Sequence, residues 1–474
     1  MSSPLTVTLP NYELYALIGK AMWACFVFVF GSCVGSLVNV LVYRLPIGIS
    51  VLTPPSRCPM CETRLTWREN IPIFGWLLLR GRCRFCKSRI SPEYPIVELI
   101  AGLLFVGVFY LWYLMPADAA WLGVHWGELR PHWTIDDIRD AWPRHSWPIF
   151  VIMLMLIGSL LAMTIVDAKT YTIPLVLPWF VTIVGFVGHP LFALWVQERG
   201  GRMQLGKFGL HHPPWVFSIP ETWATVAGAG GGMVGLIIAM LLMRFNLIRR
   251  SFTDYDEWET KARADLAASA SAAVPPSDAV SSPATAGDAG AFANDTQKNN
   301  DDAQKSEGTP AEMWIQYPHA RREMLKELAF VSPCVVLGYG AWILVQQQKL
   351  VTAPSLFFQV LAAVVLGYLI GGGIVWLVRI FGSLAFGKEA MGLGDVHLMA
   401  AVGACLGWQH AVIAFFGAAF VGIAWEIFGR IFMGSKSRAL PYGPHLAIST
   451  FLVLVFKPWV ELGLDLLGLG MIFR

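Results

Sequence analysis

Residues 148–166 read PIFVIMLMLIGSLLAMTIV, a run of 19 residues without a charged side chain. A hydrocarbon layer of about 30 Å requires about 20 apolar residues per helix, so this run is long enough to cross a membrane. Similar runs recur along the 474 residues of the chain, of which 55% are hydrophobic and 14% charged. Because soluble domains carry about 25% charged residues, this composition predicts a membrane protein.

The apolar runs predict an all-α polytopic membrane protein with about eight to ten transmembrane helices. Ten candidate spans are found by length, and the two near 391–430 are the least regular because they are short or share a tight turn at Gly407. The spans cover residues 14–43, 95–115, 148–166, 173–196, 222–245, 328–347, 355–381, 391–408, 410–430 and 444–468.

The basic residues predict which end of the helix bundle faces the cytoplasm, because cytoplasmic loops carry an excess of Lys and Arg. The loop 44–94 has nine basic residues, whereas the loop 116–147 has three Arg among five acidic residues. The loop 44–94 is therefore predicted to be cytoplasmic. The net charge of the whole chain is only +3, which gives no indication of a nucleic-acid partner.

Residues 264–311 differ from the rest of the chain because they are rich in Ala, Ser, Asp, Pro and Asn and have almost no large apolar side chains. Such a segment buries too little apolar surface to offset the entropy lost on ordering it. We therefore predict a disordered cytoplasmic segment over 251–327, with short amphipathic helices at its flanks, 252–263 and 313–327.

Four of the eight cysteines lie in the loop 44–94 as two C-x-x-C pairs. Four thiolates in this pattern form a closed tetrahedral site, which predicts a structural zinc ion with no position left for water. Two disulfides are the alternative, and the reducing cytoplasm disfavours them. The predicted zinc ligands are Cys58, Cys61, Cys83 and Cys86.

Two aspartates lie at the ends of apolar segments. Asp167 directly follows the run 148–166, and Asp395 opens a later span in the sequence MGLGDVHL, residues 391–398. A carboxylate in or beside a span is costly, so it is a candidate functional residue. Two carboxylates brought together share a proton, so the charged one can activate water while the protonated one polarises a peptide carbonyl.

Each aspartate also has a structural interpretation. Either one could cap a helix or pair with Lys169 or Lys388. For a single aspartate this interpretation is the stronger one. Two aspartates at the same predicted membrane depth shift the balance toward a shared chemical role.

These motifs together resemble the type IV prepilin peptidase family. Residues 392–395, Gly-Leu-Gly-Asp, match the G-x-G-D signature of intramembrane aspartyl proteases, and Pro174 follows Asp167 by seven residues. The other matching motifs are residues 30–46 (FGSCVGSLVNVLVYRLP), 68–72 (RENIP), 79–83 (LRGRC), 94–98 (YPIVE), 388–395 (KEAMGLGD) and 441–444 (PYGP). They occur in family order over roughly residues 25–196 and 355–465.

The resemblance implies an aspartic endopeptidase with Asp167 and Asp395 as the catalytic pair and Gly392 and Gly394 as supporting motif residues. Such enzymes cut the short basic leader from type IV prepilins and type II secretion pseudopilins at the cytoplasmic face of the bacterial inner membrane. Many also methylate the new N-terminus with S-adenosylmethionine, and Glu69 lies in the region associated with this methyl transfer.

The resemblance also divides the chain. It implies N-terminal spans with the zinc loop over 1–115, a first catalytic core over 148–196 and a second over 355–474. Between the cores lies an insertion, 197–354, with extra spans. The sequence departs from the family at Lys169 and Leu175, where acidic residues are frequent, and at His397, where Lys is usual.

Two other functions are compatible with membrane aspartates. In a proton-coupled transporter, Asp167 and Asp395 would relay protons or bind a cation. Transporter sites lie near the membrane midplane, however, whereas both aspartates are predicted at one face. A non-catalytic membrane assembly factor is the second alternative, and the intact aspartate pair argues against it.

The glycine-rich run 228–235 is a further candidate site, since glycines also occur in turns that bind nucleotide-like cofactors. Here no strand precedes the run and no acidic residue follows about 20 positions later, as such a turn requires. Close packing of two helices is the favoured interpretation.

Overall fold

The computed structural model describes most of the chain. The described residues are 12–116, 119–121, 124–125, 147–200, 215, 217–255, 257–258, 260–262, 264–265, 317–350, 352–387, 389–432, 441–466 and 468.

The described residues are predominantly helical, which confirms the predicted all-α class. The helices are α1 Tyr12–Arg44, α2 Phe74–Leu78, α3 Glu93–Phe109 with a π-helical end Tyr110–Leu114, α4 Trp147–Thr170, α5 Val176–Gly200, α6 Trp223–Arg244, α7 Ala320–Gln347, α8 Leu356–Phe386, α9 Leu393–Leu406, α10 Trp408–Phe432, α11 Tyr442–Val455 and α12 Lys457–Leu466. Two residues of β1, Ala120–Trp121, pair antiparallel with β2, Val124–His125.

Among the described residues, eight helices are long and apolar enough to cross a membrane, namely α1, α3, α4, α5, α6, α7, α8 and α10. The predicted spans 391–408 and 444–468 are shorter than expected, because α9 and α11 have 14 residues each. The second of these breaks at Phe456, where α11 ends and α12 begins. Pro458 explains the break, since proline cannot donate the backbone hydrogen bond that would continue α11.

Helix α4 lies near the centre of the bundle, and 72% of its most apolar window is buried. It packs against α1, α5 and α11. Helix α9 packs along α8 so closely that a Cβ on Gly367 would overlap the carbonyl oxygen of Gly403, and a Cβ on Gly371 that of Met399. Backbone contact between α8 and α9 therefore fixes the position of α9.

One end of the bundle carries the loop 45–92, and we call it the loop end. Lys169 at the end of α4 forms an ion pair with Glu93 at the start of α3. The side chain of Asn39 in α1 donates a 3.0 Å hydrogen bond to the carbonyl oxygen of Tyr94. The end of α4 and the cysteine-bearing loop therefore lie at the same end of the bundle.

The other end of α9 stops inside the bundle. The ring of Phe217 lies 5.0 Å from the ring of His189 in α5, and a Cβ on Gly407 would overlap Phe217. Trp215 and Phe217 are both buried. Ser218 also forms a hydrogen bond with Gln409 at the start of α10. Residues 215 and 217–218 thus close the bundle beyond the end of α9.

Both ends of the segment 251–327 are ordered, within the flanks 252–263 and 313–327 where short helices are predicted. Phe252 and Tyr255 pack with Tyr317 and Met324 against Ile380 of α8 in a small hydrophobic core. Helix α7 starts within the segment and continues unbroken into a span. The disorder predicted for residues 264–311 stays a prediction, because residues 266–316 lie outside the described part of the chain.

The glycine-rich run in α6 packs against α7, as the sequence predicts. A Cβ on Gly231 would overlap the carbonyl oxygen of Leu337, and a Cβ on Gly235 that of Pro333. The glycines therefore allow two backbones to touch, which is their common use in membrane helices.

Candidate active site

Asp167 lies in the last turn of α4 at the loop end, and it is only 5% exposed. Its carboxylate accepts a hydrogen bond from the backbone N–H of Gly443, at the start of α11. A Cβ at position 443 would overlap Oδ2 of Asp167. The lack of a side chain at Gly443 is therefore what lets the backbone of α11 reach the carboxylate.

Asp395 lies in the first turn of α9 and is half-buried. The backbone N–H of Gly392, the N-cap of the helix, donates a hydrogen bond to its carboxylate. In this geometry the side chain of the third helical residue accepts a hydrogen bond from the N-cap backbone and so caps the first turn. Asp395 therefore caps its own helix, which is the structural role considered for it above. A cap does not explain why a second buried carboxylate lies nearby.

The two aspartates lie close enough for their carboxylates to repel each other. Ile173, in the turn after α4, packs beside both motifs, because Cβ atoms on Gly394 and Gly443 would lie 3.0 and 3.2 Å from its side chain. Lys169 does not serve as the partner of Asp167, since it pairs with Glu93. Three helices, α4, α9 and α11, thus assemble one acidic site.

Helix α11 contributes to this site through residues that the sequence did not single out individually. The PYGP motif at 441–444 indicated a family feature but no role. In the structure, Tyr442 lies close enough to Asp395 for an electrostatic interaction between the two side chains. The hydroxyl of Tyr442 donates a 3.2 Å hydrogen bond to the carbonyl oxygen of Phe415. Gly443 and Tyr442 therefore adjoin Asp167 and Asp395 respectively.

A buried arginine fixes the loop that leads into Asp395. Arg379 in α8 is 4% exposed. Its Nη1 donates hydrogen bonds to the carboxylate of Glu389 and to the carbonyl oxygen of Met391. Because Met391 directly precedes the Gly-Leu-Gly-Asp sequence, these bonds hold the backbone entering α9.

The same arginine reaches across to α7. Its Nε donates a 3.3 Å hydrogen bond to Oε1 of Glu327, which is itself 4% exposed. Trp376 and Ser251 also donate hydrogen bonds to the Glu327 carboxylate. Ser251 precedes the segment 266–316 and Glu327 follows it. Hydrogen bonds through Arg379 therefore connect both flanks of this segment to the loop before Asp395.

The four cysteines of the loop 45–92 converge, with their sulfur atoms all within 4.8 Å of one another. Sγ of Cys58 lies 3.8 Å from Sγ of Cys86, and Sγ of Cys61 lies 4.0 Å from Sγ of Cys83. A tetrahedral zinc ion with Zn–S bonds of about 2.3 Å separates its sulfurs by about 3.8 Å. The arrangement fits a metal ion and excludes disulfides, whose sulfurs are about 2.05 Å apart.

The two cysteine pairs have the same local structure. The backbone N–H of Cys58 donates to the carbonyl oxygen of Thr63, and that of Cys83 donates to Ser88, at 3.0 and 2.8 Å. A hydrogen bond from the backbone N–H of Cys61 is the largest cause that lowers the pKa of Cys58 to about 6. A lowered pKa favours the thiolate, which is the form that binds a metal.

Glu69 lies in the same loop as the cysteines. Its Oε2 accepts a 2.8 Å hydrogen bond from the backbone N–H of Thr66, and its Oε1 lies 3.6 Å from Nη1 of Arg84. The hydrogen bond from Thr66 and the nearby guanidinium hold the pKa of Glu69 below its ordinary value. Oε1 is buried and accepts no hydrogen bond from the described residues.

Two models of one protein family match this chain. The bacterial peptidase A24 N-terminal domain matches residues 29–112, which contain the four cysteines and Glu69. The type IV leader peptidase family matches residues 330–427, which contain Arg379 and Asp395. Over these two segments the chain is similar to the type IV leader peptidase family. The second match starts inside the predicted insertion 197–354, so the leader peptidase model includes most of α7.

Several curated proteins that this chain resembles carry the name prepilin leader peptidase/N-methyltransferase. The protein from Myxococcus xanthus is 54% identical over 84 residues, 18% of this chain and 25% of the relative. Those from Stutzerimonas stutzeri and Pectobacterium carotovorum are 32% and 30% identical, over 40% and 34% of this chain and 63% and 53% of the relatives. The chain therefore matches between a quarter and five-eighths of their length. No solved structure matches it.

Proposed function

We propose that this chain is a membrane aspartic endopeptidase that cleaves the leaders of type IV prepilins and pseudopilins. The observation that carries the proposal is the pair of carboxylates, Asp167 and Asp395, assembled by α4, α9 and α11 within a family of leader peptidases. A transporter receives no support, since the matching family and the named relatives are peptidases.

The proposed chemistry follows from two carboxylates that share a proton. The ionised aspartate takes a proton from a water molecule, and the water oxygen attacks the carbonyl carbon of the scissile peptide. The protonated aspartate donates its proton to the carbonyl oxygen. Collapse of the tetrahedral intermediate breaks the C–N bond, and a proton passes to the leaving amine.

The proposed location is the bacterial cytoplasmic membrane with the loop end facing the cytoplasm. The nine basic residues of 44–94 favour this orientation. Asp167 lies at the same end, because the neighbouring Lys169 pairs with Glu93 after the loop. A substrate would therefore present a polar leader in the cytoplasm, followed directly by an apolar helix in the membrane.

The experiment that tests this function uses a purified pilin precursor and reads the new N-terminus by mass spectrometry. A glycine before the cut suits a crowded site, so replacing it with Val should stop cleavage. A substitution of similar size deep in the apolar helix serves as the control and should leave cleavage intact. A cut outside the membrane boundary, or cleavage that ignores the Val, would refute the proposal.

Gly443 offers a sharp test of the site geometry. We expect Gly443→Ala to slow cleavage about a hundredfold, because a Cβ would displace the Asp167 carboxylate and small displacements of catalytic groups are costly. Gly429→Ala is the matched control, since a Cβ there meets nothing within 4 Å. Equal activity of the two variants would show that the contact with α11 is unimportant.

We further propose that the four cysteines hold one structural zinc ion. A closed set of four thiolates would stabilise the loop and leave the chemistry to the aspartates. Replacing Cys58 and Cys61 together with Ser should release the metal and unfold the loop, because structural zinc contributes about 10–16 kcal/mol in small zinc domains. Cys25→Ser, an exposed cysteine in α1, is the control. Zinc-free wild-type protein in elemental analysis would disprove this prediction.

The relatives' shared name also supports a second proposed activity, the transfer of a methyl group from S-adenosylmethionine to the new amino group. Glu69 is the candidate residue, because its Oε1 is buried without a hydrogen bond from the described residues. Glu69→Gln should leave cleavage intact while the mass of the mature pilin lacks one methyl group. A fully methylated product would remove Glu69 from this role.

A further inference from the structure

A basic cavity lies at the loop end, between the end of α6 and the start of α7. It has a volume of about 810 Å³, and five basic and two acidic side chains line it. Arg244, Arg249, Arg250 and Arg322 are its arginines. This cavity does not include the aspartate pair or the cysteine cluster.

The acidic side chains of this basic cavity already have partners. Asp254 accepts a 2.8 Å hydrogen bond from the hydroxyl of Tyr317. Glu323 forms a 2.7 Å ion pair with Lys326 and accepts a hydrogen bond from the backbone N–H of Phe252. None of the four arginines forms an ion pair with another described residue, so the cavity retains an excess of positive charge.

A second cavity adjoins the first and is mostly apolar. It has a volume of about 460 Å³ and lies between α6 and α7 on one side and α8 and α9 on the other. Phe330, Leu369 and Trp376 are among its lining residues. The two cavities share Met240, Met243, Arg249, Arg250 and Lys326, so a charged compartment opens into an apolar one.

We propose that the two cavities together bind one anionic glycerophospholipid, with its phosphodiester against the arginines and its acyl chains in the apolar cavity. Basic pockets between membrane helices bind anionic headgroups, and each Arg near the membrane surface adds about 1 kcal/mol. The apolar compartment favours a lipid over a free phosphate ion. The positive charge disfavours a substrate with a basic leader, which is the other amphipathic molecule near this enzyme.

The headgroup is tested by titrating the detergent-solubilised protein with phosphatidylglycerol and with phosphatidylcholine, using native mass spectrometry to count bound lipids. Arg322→Gln should weaken phosphatidylglycerol binding about fivefold, which corresponds to about 1 kcal/mol for one arginine. Arg321→Gln is the matched control, because this exposed neighbour does not line the cavity. Equal affinities for the two lipids, or equal effects of the two variants, would overturn the proposal.

The acyl chains are tested by filling the apolar cavity. Gly373 lines it, and a Cβ there meets nothing within 4 Å, so Gly373→Leu should fold and exclude the chains. Gly340→Leu is the control, since that glycine is equally open but lies outside both cavities. We expect only Gly373→Leu to lose lipid. If inorganic phosphate or a pilin precursor displaces phosphatidylglycerol from the wild type at equal concentration, the site binds that ligand and the lipid assignment fails.

Discussion

Replacing either Asp167 or Asp395 with Asn should lower the rate of leader cleavage at least about a hundredfold, since acid–base groups typically contribute about 10²- to 10⁴-fold. Asn has nearly the same shape as Asp but cannot exchange a proton. The two variants should be about equally impaired, because the carboxylates act as one unit. Cleavage of a purified pilin precursor, measured as kcat, checks this prediction.

Glu426→Gln is a suitable control for the aspartate variants. It also removes one carboxylate from the membrane domain, but Glu426 forms a surface ion pair with Arg430 on α10. It should cleave normally. Each Asn variant should accumulate in the membrane and retain the metal of the cysteine cluster. If either folded Asn variant cleaves within about tenfold of the wild type, its aspartate is not part of a proton-exchanging pair.

Arg379→Met should be nearly as damaging as loss of Asp167 or Asp395, although Arg379 has no part in the proposed chemistry. Among the described residues, Arg379 is the cation that pairs with Glu327, and it also anchors the carbonyl of Met391, so the substitution removes both contacts. Breaking a buried ion pair costs about 3–5 kcal/mol. We expect a lower unfolding temperature and a fall in kcat that exceeds any change in KM, because the loop carrying Asp395 loses its position.

Two comparisons separate positioning from general instability. Arg430→Met removes an exposed ion pair, which contributes only about 0–1 kcal/mol, so it should behave like the wild type. Arg379→Lys keeps the charge but supplies fewer fixed donors, and it should recover stability more fully than kcat. If Arg379→Met unfolds and cleaves as Arg430→Met does, Arg379 does not hold the catalytic loop.

The sequence predicted the helical fold and singled out the two aspartates as candidates, because both inferences depend on local patterns. In a membrane, an apolar run such as 148–166 is stable as a helix, because a helix satisfies its backbone hydrogen bonds internally. Asp167 is the first charged residue after this run. The cysteine cluster was also visible, since two C-x-x-C pairs in one loop are typical of a tetrahedral metal site. These predictions needed no knowledge of how the helices pack.

The contacts around the site depend on packing between distant parts of the chain. Glu327 meets Arg379 across 52 positions, and the short helix predicted at 313–327 gives no indication of that partner. Gly443 reaches Asp167 because α11 begins beside the end of α4, which no periodicity in either helix reveals. In the sequence, such a close approach between two backbones is visible only as a glycine, and the chain has 45 glycines.

The end of α9 that lies opposite Asp395 is covered by packed side chains, and this packing affects how protons could cross the membrane. Two carboxylates that take up and release protons inside a membrane could form part of a path for protons across it. An elementary charge that crosses a membrane with an electrochemical gradient releases about 2.3 kcal/mol per 100 mV. Trp215 and Phe217 are buried beyond the end of α9 that lies opposite Asp395. In the proposed peptidase, this packing would let Asp167 and Asp395 exchange protons with one side of the membrane only, so that cleavage would not dissipate the proton gradient.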